Sequence, residues 1–396
     1  MKNVVIIGGG ASGLMSAIWA ARCGANVTLL EHNEKVGKKI LATGNGRCNL
    51  TNRVQDARFY RSMNSAFPWK IISQFPTEET LQFFEELGIC MKDKNNWIYP
   101  YTEQAASVNE VLEMEARHRK VKIKLNEEVI SIEKTSDKND SGFLVVTKTW
   151  KYACDRVIIA CGTTASSVEG SSETGYQLAK ALGHTLIQPL PALCALKGKG
   201  NYFAKWAGTK MDTCLRLEID NAINIEERGE VLLTDYGISG ICVFQVSRFA
   251  IRAIQEGKQV QCHLDFMPEY SEAQLLHMLA QRRTACPYKS TQQLLVGLIP
   301  KKLIPLVVTK KCTDEMIVHQ LKDWVVPIKD AYSLKQAQVC SGGVNTKELT
   351  LSLESKLQPG IFFAGEVIDV DGPCGGYNLQ WAWSSGAVAG RAAAKE

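Results

Sequence analysis

The chain lacks the features that would place it outside the cell interior or make it a metal protein. Its thirteen cysteines include no C-x-x-C, and the closest pair, Cys154 and Cys161, stands seven apart. An odd count without clustering argues against a disulfide framework and zinc ribbons, and for reduced thiols. The six histidines include no pair at i, i+3 or i+4, so no metal site is expected. No apolar run approaches the roughly eighteen residues that a spanning helix needs. The first strand-like run begins at residue 3, leaving no room for a signal peptide, and a cytoplasmic protein is expected. Charge of one sign is also scarce, with 46 basic against 41 acidic residues and a formal net charge of +5. The basic clusters Arg117-His118-Arg119-Lys120 and Lys310-Lys311 are short and scattered. They suit solvated faces better than a nucleic-acid footprint, so no nucleic-acid or membrane partner is expected. The 396 residues carry no biased tract and are too many for one simple core; two or three domains are expected.

What is present begins at the start. Asn3-Val4-Val5-Ile6-Ile7 reads as a buried strand, and Gly8, Gly10 and Gly13 follow as G-x-G-x-x-G at the opening of an apolar-faced helix. Gly8 makes a tight turn, Gly10 lets a pyrophosphate approach the backbone, and Gly13 lets helix pack on strand. Ala11 and Ser12 occupy the first turn, whose unpaired N–H groups face the phosphates. A second strand, Asn26-Val27-Thr28-Leu29-Leu30, ends at Glu31, an acid placed to accept from both hydroxyls of an adenosine ribose. Strand, triplet, helix, strand and acid in this order predict a dinucleotide-binding fold.

Residues 37–52 are rich in glycine, basic and amide residues together, as a loop that wraps an anionic ligand would be. Helices are predicted over 77–88 and 104–119, then strand-like runs at 121–125, 128–133 and 143–148 forming a β-meander, with a polar turn at 135–141. Residues 156–163 read as a further parallel strand, and 175–183 as a helix stopped by glycine. From about 190 to 265 short strands dominate, including 212–220 and 230–234, with a glycine turn at 234–240 leading into an apolar helix. Residues 271–324 are helical in period, and 337–340 look like a return strand. Near the end, 360–366 form a buried strand closing on Gly365-Glu366, and a glycine-rich segment enters a helix at about Leu379. The dinucleotide fold is thus interrupted by an insert and completed by roughly the last fifty residues.

A strand ending in Gly-acid near the far end resembles FAD proteins of the glutathione-reductase structural class, where that turn grips the ribitol. Two long motifs make the resemblance specific. Lys38-Lys39-Ile40-Leu41-Ala42-Thr43-Gly44-Asn45-Gly46-Arg47-Cys48-Asn49-Leu50-Thr51-Asn52 is similar to the K-x-x-x-T-G-x-G-R-C-N-x-T-N loop of the BaiN/YhiN-type flavoproteins. The stretch from Phe363 through Asp371-Gly372-Pro373-Cys374-Gly375-Gly376-Tyr377-Asn378-Leu379 to Ala382 matches the same family, as do Thr234-Asp235-Tyr236-Gly237-Ile238-Ser239-Gly240 and Ser341-Gly342-Gly343-Val344. The resemblance implies an α/β fold: a discontinuous Rossmann-like FAD-binding domain (1–188 and 342–396), an inserted β-barrel (189–268 and 326–341) and a small helical domain (269–325). It implies that Glu31 binds the adenosine ribose, that His32 is a cofactor-binding residue beside it, and that Val129 touches adenine through its backbone. Lys38, Thr43, Gly44, Gly46, Arg47 and Asn49 would lie along the flavin side. Ala160, Cys161 and Gly162 (here C-G-T in place of the usual T-G-G), Gly365, Glu366 and Asp371 would line the cofactor. Gly375, Gly376, Tyr377, Asn378 and Leu379 would cap pyrophosphate and isoalloxazine.

The family's chemistry implies reduction of a carbon–carbon double bond conjugated to the 3-oxo group of a steroid or bile acid. The resemblance implies NAD(P)H as a transient electron donor, and with no second glycine triplet after a strand no built-in NAD(P)H domain is expected. Tyr377, Arg47 and Cys48 are the candidates for proton donor or enolate stabiliser by motif position. Tyr202, Phe203, Trp206 and Tyr236 are aromatic residues of the insert, suited to an apolar pocket or to core packing. Two rival expectations are a flavin oxidase acting on a small amine and an FAD-containing tRNA-modifying protein.

Overall fold

The computed structural model describes the chain except residues 136–141, 167, 169 and 396 and the side chain of Asn224. Its backbone forms two compact units, Met1–Pro189 with Val339–Glu396, and Leu190–Gln338.

The first unit is built on a five-stranded parallel sheet in the order Ile361–Phe363, Arg156–Ile159, Asn3–Ile7, Asn26–Leu30, Lys122–Lys124. Its three central strands are runs of valine, isoleucine and leucine buried on both faces, as a covered parallel sheet requires. Ile7 lies opposite both Leu30 and Ile159, and Ile159 opposite Phe363, so these four strands end on one edge. From the first strand the chain leaves in one direction to 26–30 and 122–124, and in the other to 156–159 and 361–363. That reversal is the topological switch point at which open α/β sheets bind ligands.

One expected strand belongs elsewhere. Residues 121–125 do not join the meander; Lys122–Lys124 is the outer strand of the parallel sheet, where its two exposed lysines suit an edge. The meander is Val129–Lys134, Phe143–Thr147 and Lys151–Cys154. The predicted turn at 135–141 lies, beyond Thr135, outside the described residues. The expected loop at 37–52 is also more ordered than an open wrap. It forms a short helix, Lys38–Ala42, a tight turn over Thr43–Gly46, and a strand, Thr51–Asn52, that pairs with Trp97–Pro100.

The first helix, Ala11–Arg22, and the last, Tyr377–Ala393, lie in backbone contact. A Cβ on Gly386 would stand 2.6 Å from the Ser12 carbonyl oxygen, and one on Gly390 2.4 Å from that of Ser16. Since 386 faces 12 and 390 faces 16, the two helices run the same way.

The second unit holds a closed six-stranded barrel, in the order Leu196–Gly198, Gly237–Ser239, Ala222–Leu233, Thr209–Ile219, Val260–Asp265, Trp324–Ala331. The separate short strands expected at 212–220 and 230–234 are the arms of one long hairpin. Asp220 and Asn221 turn it with φ of 49° and 66°, the left-handed pair that a tight hairpin needs. Tyr202, Phe203, Trp206 and Trp324 pack as an aromatic core, and Trp206 Nε1 donates to the Thr234 carbonyl at 2.9 Å. Tyr236 instead stacks on Tyr332, ring centroids 3.9 Å apart. Helices Glu272–Ala285, Thr291–Leu294, Ile304–Val307 and Asp314–Lys322 belong to this same unit, the first two opened by capping boxes at Ser271 and Ser290. Among the described residues no helix is long and apolar enough to cross a membrane.

The helix contact sets a test. Gly390→Val forces a side chain onto the Ser16 backbone and is expected to destabilise the protein by about 3 kcal/mol in urea unfolding. An unchanged midpoint would show that these helices do not touch.

Candidate functional site

The carboxyl edge of the parallel sheet gathers most of the predicted positions. Gly8, with φ of 104°, donates its N–H to the Leu30 carbonyl at 2.8 Å, and a Cβ there would strike Ala160 O at 2.6 Å. A Cβ on Gly13 would lie 1.8 Å from Gly8 O, whereas one on Gly10 would meet nothing within 4 Å. Gly8 and Gly13 are therefore fixed by neighbours, and Gly10 borders open space. The helix that starts at Ala11 has no side-chain cap and no acid in its first turn, so its free N–H groups await an acceptor. Gly162, with φ of 68°, borders open space likewise. Ser12 Oγ reaches the Ala364 carbonyl at 3.4 Å, tying this helix to the turn at Gly365.

Glu31 is only 5% exposed, and its carboxylate is already engaged. Oε2 accepts from the Gly9 N–H at 2.7 Å; Oε1 accepts from the Asn33 N–H at 2.9 Å and amide at 2.7 Å, and lies 3.0 Å from His32 Nδ1. Burial pushes this carboxyl up, but the bonds from His32, Asn33 and Gly9 outweigh it and leave it below the usual range. His32 is held above its ordinary value, first by its bond to Glu31. A hydroxyl donor reaching this carboxylate would have to exchange with the Asn33 and His32 donors, because a carboxylate offers about four acceptor positions. Lys38 Nζ lies at this end, 3.1 Å from Asn33 Oδ1 and 3.0 Å from Glu34. The segment before Val129 closes over it, Glu127 donating its N–H to Glu31 O at 2.9 Å.

The second predicted motif meets the first. Gly375 and Gly376 have φ of 116° and 95°, and Gly376 opens the last helix without a side-chain cap. A Cβ on Gly376 would stand 2.5 Å from the Thr51 backbone, and Asn52 donates its amide to Gly375 O at 3.0 Å. Asn49, with its amide turned so that both atoms find partners, accepts from the Gly376 N–H at 3.2 Å. Asn378 folds back instead of reaching out: it accepts from Gly372 N and donates to Gly372 O, both at 2.9 Å. Asp371 pairs through its backbone with Arg61, and Leu379 is half-buried. Gly365 is braced by Ser385 Oγ on its N–H and Trp381 Nε1 on its carbonyl. Glu366 lies 2.6 Å from Lys39 Nζ and accepts from Thr163 Oγ1 and the Cys340 N–H.

The three candidate catalytic groups differ in freedom. Tyr377 is buried against Phe59 and donates its O–H to the Val54 carbonyl at 3.0 Å. Cys48 is fully buried, and burial pushes its thiol up to about 12. Arg47 is exposed, its Nε 3.2 Å from Gly44 O and its guanidinium 5.7 Å from the Tyr99 ring centre. Thr43 donates to Ile40 O, and Gly44 and Gly46 adopt positive φ, so this turn is shaped by backbone. Cys161, at the end of strand 156–159, bonds weakly to Ile7 O with its thiol also pushed up to about 12 by burial. Asn52 and Thr163 stand in the motifs without being singled out as site residues, because their partners Gly375 and Glu366 are distant in sequence; Asn33, two residues from Glu31, belongs to no motif.

A family model of the HI0933-like protein Rossmann domain matches residues 2–392. The chain is 43% identical over 411 aligned positions, covering all of both sequences, to the 3-dehydro-bile acid delta(4,6)-reductase of Clostridium scindens. It is 29% identical to the ribosomal RNA dihydrouridine synthase of Haemophilus influenzae, over 96% of each. Among solved structures, the 3-ketosteroid-delta4-(5alpha)-dehydrogenase of Rhodococcus jostii shares the fold, with a TM-score of 0.50 at 14% identity over 100% of this chain and 97% of that one. The glycine turn, the closing helix and the match from end to end thus agree: the chain belongs to the HI0933-like Rossmann family.

Proposed function

We propose that this protein is an FAD-dependent oxidoreductase that uses NAD(P)H to saturate a carbon–carbon double bond conjugated to the 3-oxo group of a steroid or bile acid. The observation that carries the cofactor is the offset of two uncapped helix starts. The last helix begins nine residues before Gly386, which lies against Ser12, the second residue of the first helix, so its N-terminus projects about 12 Å past the start of the first. Two helix N-termini separated along one direction suit an elongated anionic ligand with one at each part of its length. The open space at Gly10 and Gly162 and the buried acceptor at Glu31 fit a dinucleotide. Identity of 43% across the whole length to a bile acid reductase supports the substrate class.

A bound flavin would supply a hydride acceptor and donor between nicotinamide and an electron-poor alkene. The chain's part is to hold the cofactor, place a donor at the ketone oxygen and deliver a proton to the α-carbon. Arg47 is the best placed of the three candidates to face the developing oxyanion, since only Gly44 O accepts from it among the described residues. Cys48 is a packing residue in this proposal. Tyr377 braces the closing turn unless its bond to Val54 is released. A second reading is favoured by the 29% identity to an RNA dihydrouridine synthase. Dihydrouridine is uridine with its ring double bond saturated, so this alternative keeps the reaction and changes the substrate.

Gly10→Val introduces a side chain into space that nothing in the protein fills. Thermal unfolding is expected to stay within about 1 °C, while FAD affinity falls at least about tenfold, roughly 1.4 kcal/mol. Retained affinity would place the pyrophosphate elsewhere. The yellow protein, bleached anaerobically by NADH or NADPH, is expected to be reoxidised by a 3-oxo-Δ4 or Δ6 steroid. Arg47→Ala is expected to lower the steroid kcat/KM by about a hundredfold. Reoxidation by air alone would indicate an oxidase, and reoxidation by uridine-containing ribosomal RNA with no response to steroid would establish the second reading.

A further inference from the structure

Glu366 is a junction of four stretches that are far apart in sequence. Its Oε2 lies 2.6 Å from Lys39 Nζ in the helix Lys38–Ala42. Its Oε1 accepts from Thr163 Oγ1 at 2.9 Å, just past the strand Arg156–Ile159, and from the Cys340 N–H at 3.0 Å in the strand Val339–Val344. Glu366 itself stands on the turn after Ile361–Phe363. Lys39 Nζ completes the junction by donating to Ala165 O at 2.8 Å. The side chains of Lys39 and Glu366 are 31% and 19% exposed, so the pair is partly shielded from water and its charges act at longer range than surface charges do.

The carboxylate therefore spends its acceptors on the protein, and the lysine spends its charge on the carboxylate. Both lie at the sheet edge where the proposed cofactor is held. We propose that Lys39 and Glu366 act as a matched pair of positioning residues that sets the reduction potential of the bound flavin, with Glu366 masking a cation that would otherwise draw electrons onto it. This deepens the proposed function and rests on its FAD assignment. Charge near a flavin tunes its potential because two-electron reduction adds negative charge to the ring. A purely mechanical staple would weaken the fold in either variant but would not move the potential with the sign of the charge left behind.

The test uses three full-length proteins reconstituted with FAD, their stoichiometry checked by absorbance, and titrated anaerobically against reference dyes. Glu366→Gln keeps an acceptor for Thr163 and Cys340 and leaves Lys39 uncompensated; its midpoint potential is expected to rise. Lys39→Met leaves Glu366 uncompensated, and its potential is expected to fall. The double variant is expected to return close to the parent. Should Glu366→Gln not fold, Lys39→Met must still lower the potential and Lys39→Arg restore it. Shifts of the same sign, or none, in proteins that hold FAD at one per chain would overturn the pairing role alone. A parent protein that takes up no FAD would instead overturn the cofactor assignment, and this proposal with it.

Discussion

The first unit depends on one steric condition: the first and last helices must approach until backbone meets backbone. Gly386 and Gly390 satisfy it, since any Cβ there would lie within 2.6 Å of a carbonyl oxygen on the first helix. Contact this close leaves little freedom to slide. A buried polar network then fixes the rotation of the last helix. Gln380 accepts from Thr51 Oγ1 at 2.6 Å and donates to Thr80 Oγ1 and Ser384 Oγ, both at 2.9 Å, while Ser384 donates to Phe75 O at 2.7 Å. An amide buried without these partners would cost several kcal/mol by order of magnitude, so only one setting of the helix satisfies it. The glycine pair at 375–376 inherits its position from that setting, and the loop at 43–52 is moulded onto the pair.

The electrostatics of the carboxyl edge follow from the same economy. Glu31 is matched by His32, Asn33 and the Gly9 N–H; Glu366 is matched by Lys39. With both carboxylates engaged by protein donors, the attraction for an anion comes from oriented backbone N–H groups at the two helix starts. Such dipoles are held in place by the fold and need no reorganisation when a ligand arrives. Arg47 is the contrast, a charged group on the exposed surface of a backbone-shaped turn.

How much of this was legible in the sequence depended on distance along the chain. The strand, the three glycines, the helix and Glu31 lie within about thirty residues, and their chemistry is local; their geometry agrees with the pattern. The closing strand and Gly365-Glu366 were legible as an element, but not the partners of Glu366, because Lys39 lies 327 positions away. Strand 122–124 was assigned to the wrong sheet because its short Lys-Ile-Lys core reads equally well as a meander arm. Only the crossover geometry of the parallel sheet decides between them. The hairpin 209–233 reads as two separate strands because its second arm passes through Glu226-Glu227-Arg228-Gly229, a charged run ending in glycine that carries the local signature of a loop. Burial of Cys48 was invisible for a related reason: a residue flanked by glycine, arginine and asparagine gives no local sign of facing a core.

Thirteen thiols share the chain with a proposed redox centre. Thiolates, not thiols, exchange with disulfides and take up oxidants, so what matters is which sulfurs can ionise near the sheet edge. Cys48 and Cys161, which lie on motifs at that edge, are both pushed up to about 12 by burial, and Cys340, bonded through its N–H to Glu366, is pushed up to about 11. At neutral pH each is therefore held as the thiol. Cys23 is exposed, but it sits at the far end of the first helix, whose twelve residues put it about 18 Å from the glycine turn. Burial thus does two things at once for Cys48 and Cys340: it packs small, polarisable side chains where space is short, and it keeps them as thiols beside the proposed flavin site. Cys161 and Cys374, the second of them in the closing glycine turn, are only half-buried, so at this edge the enclosure is complete at Cys48 and Cys340.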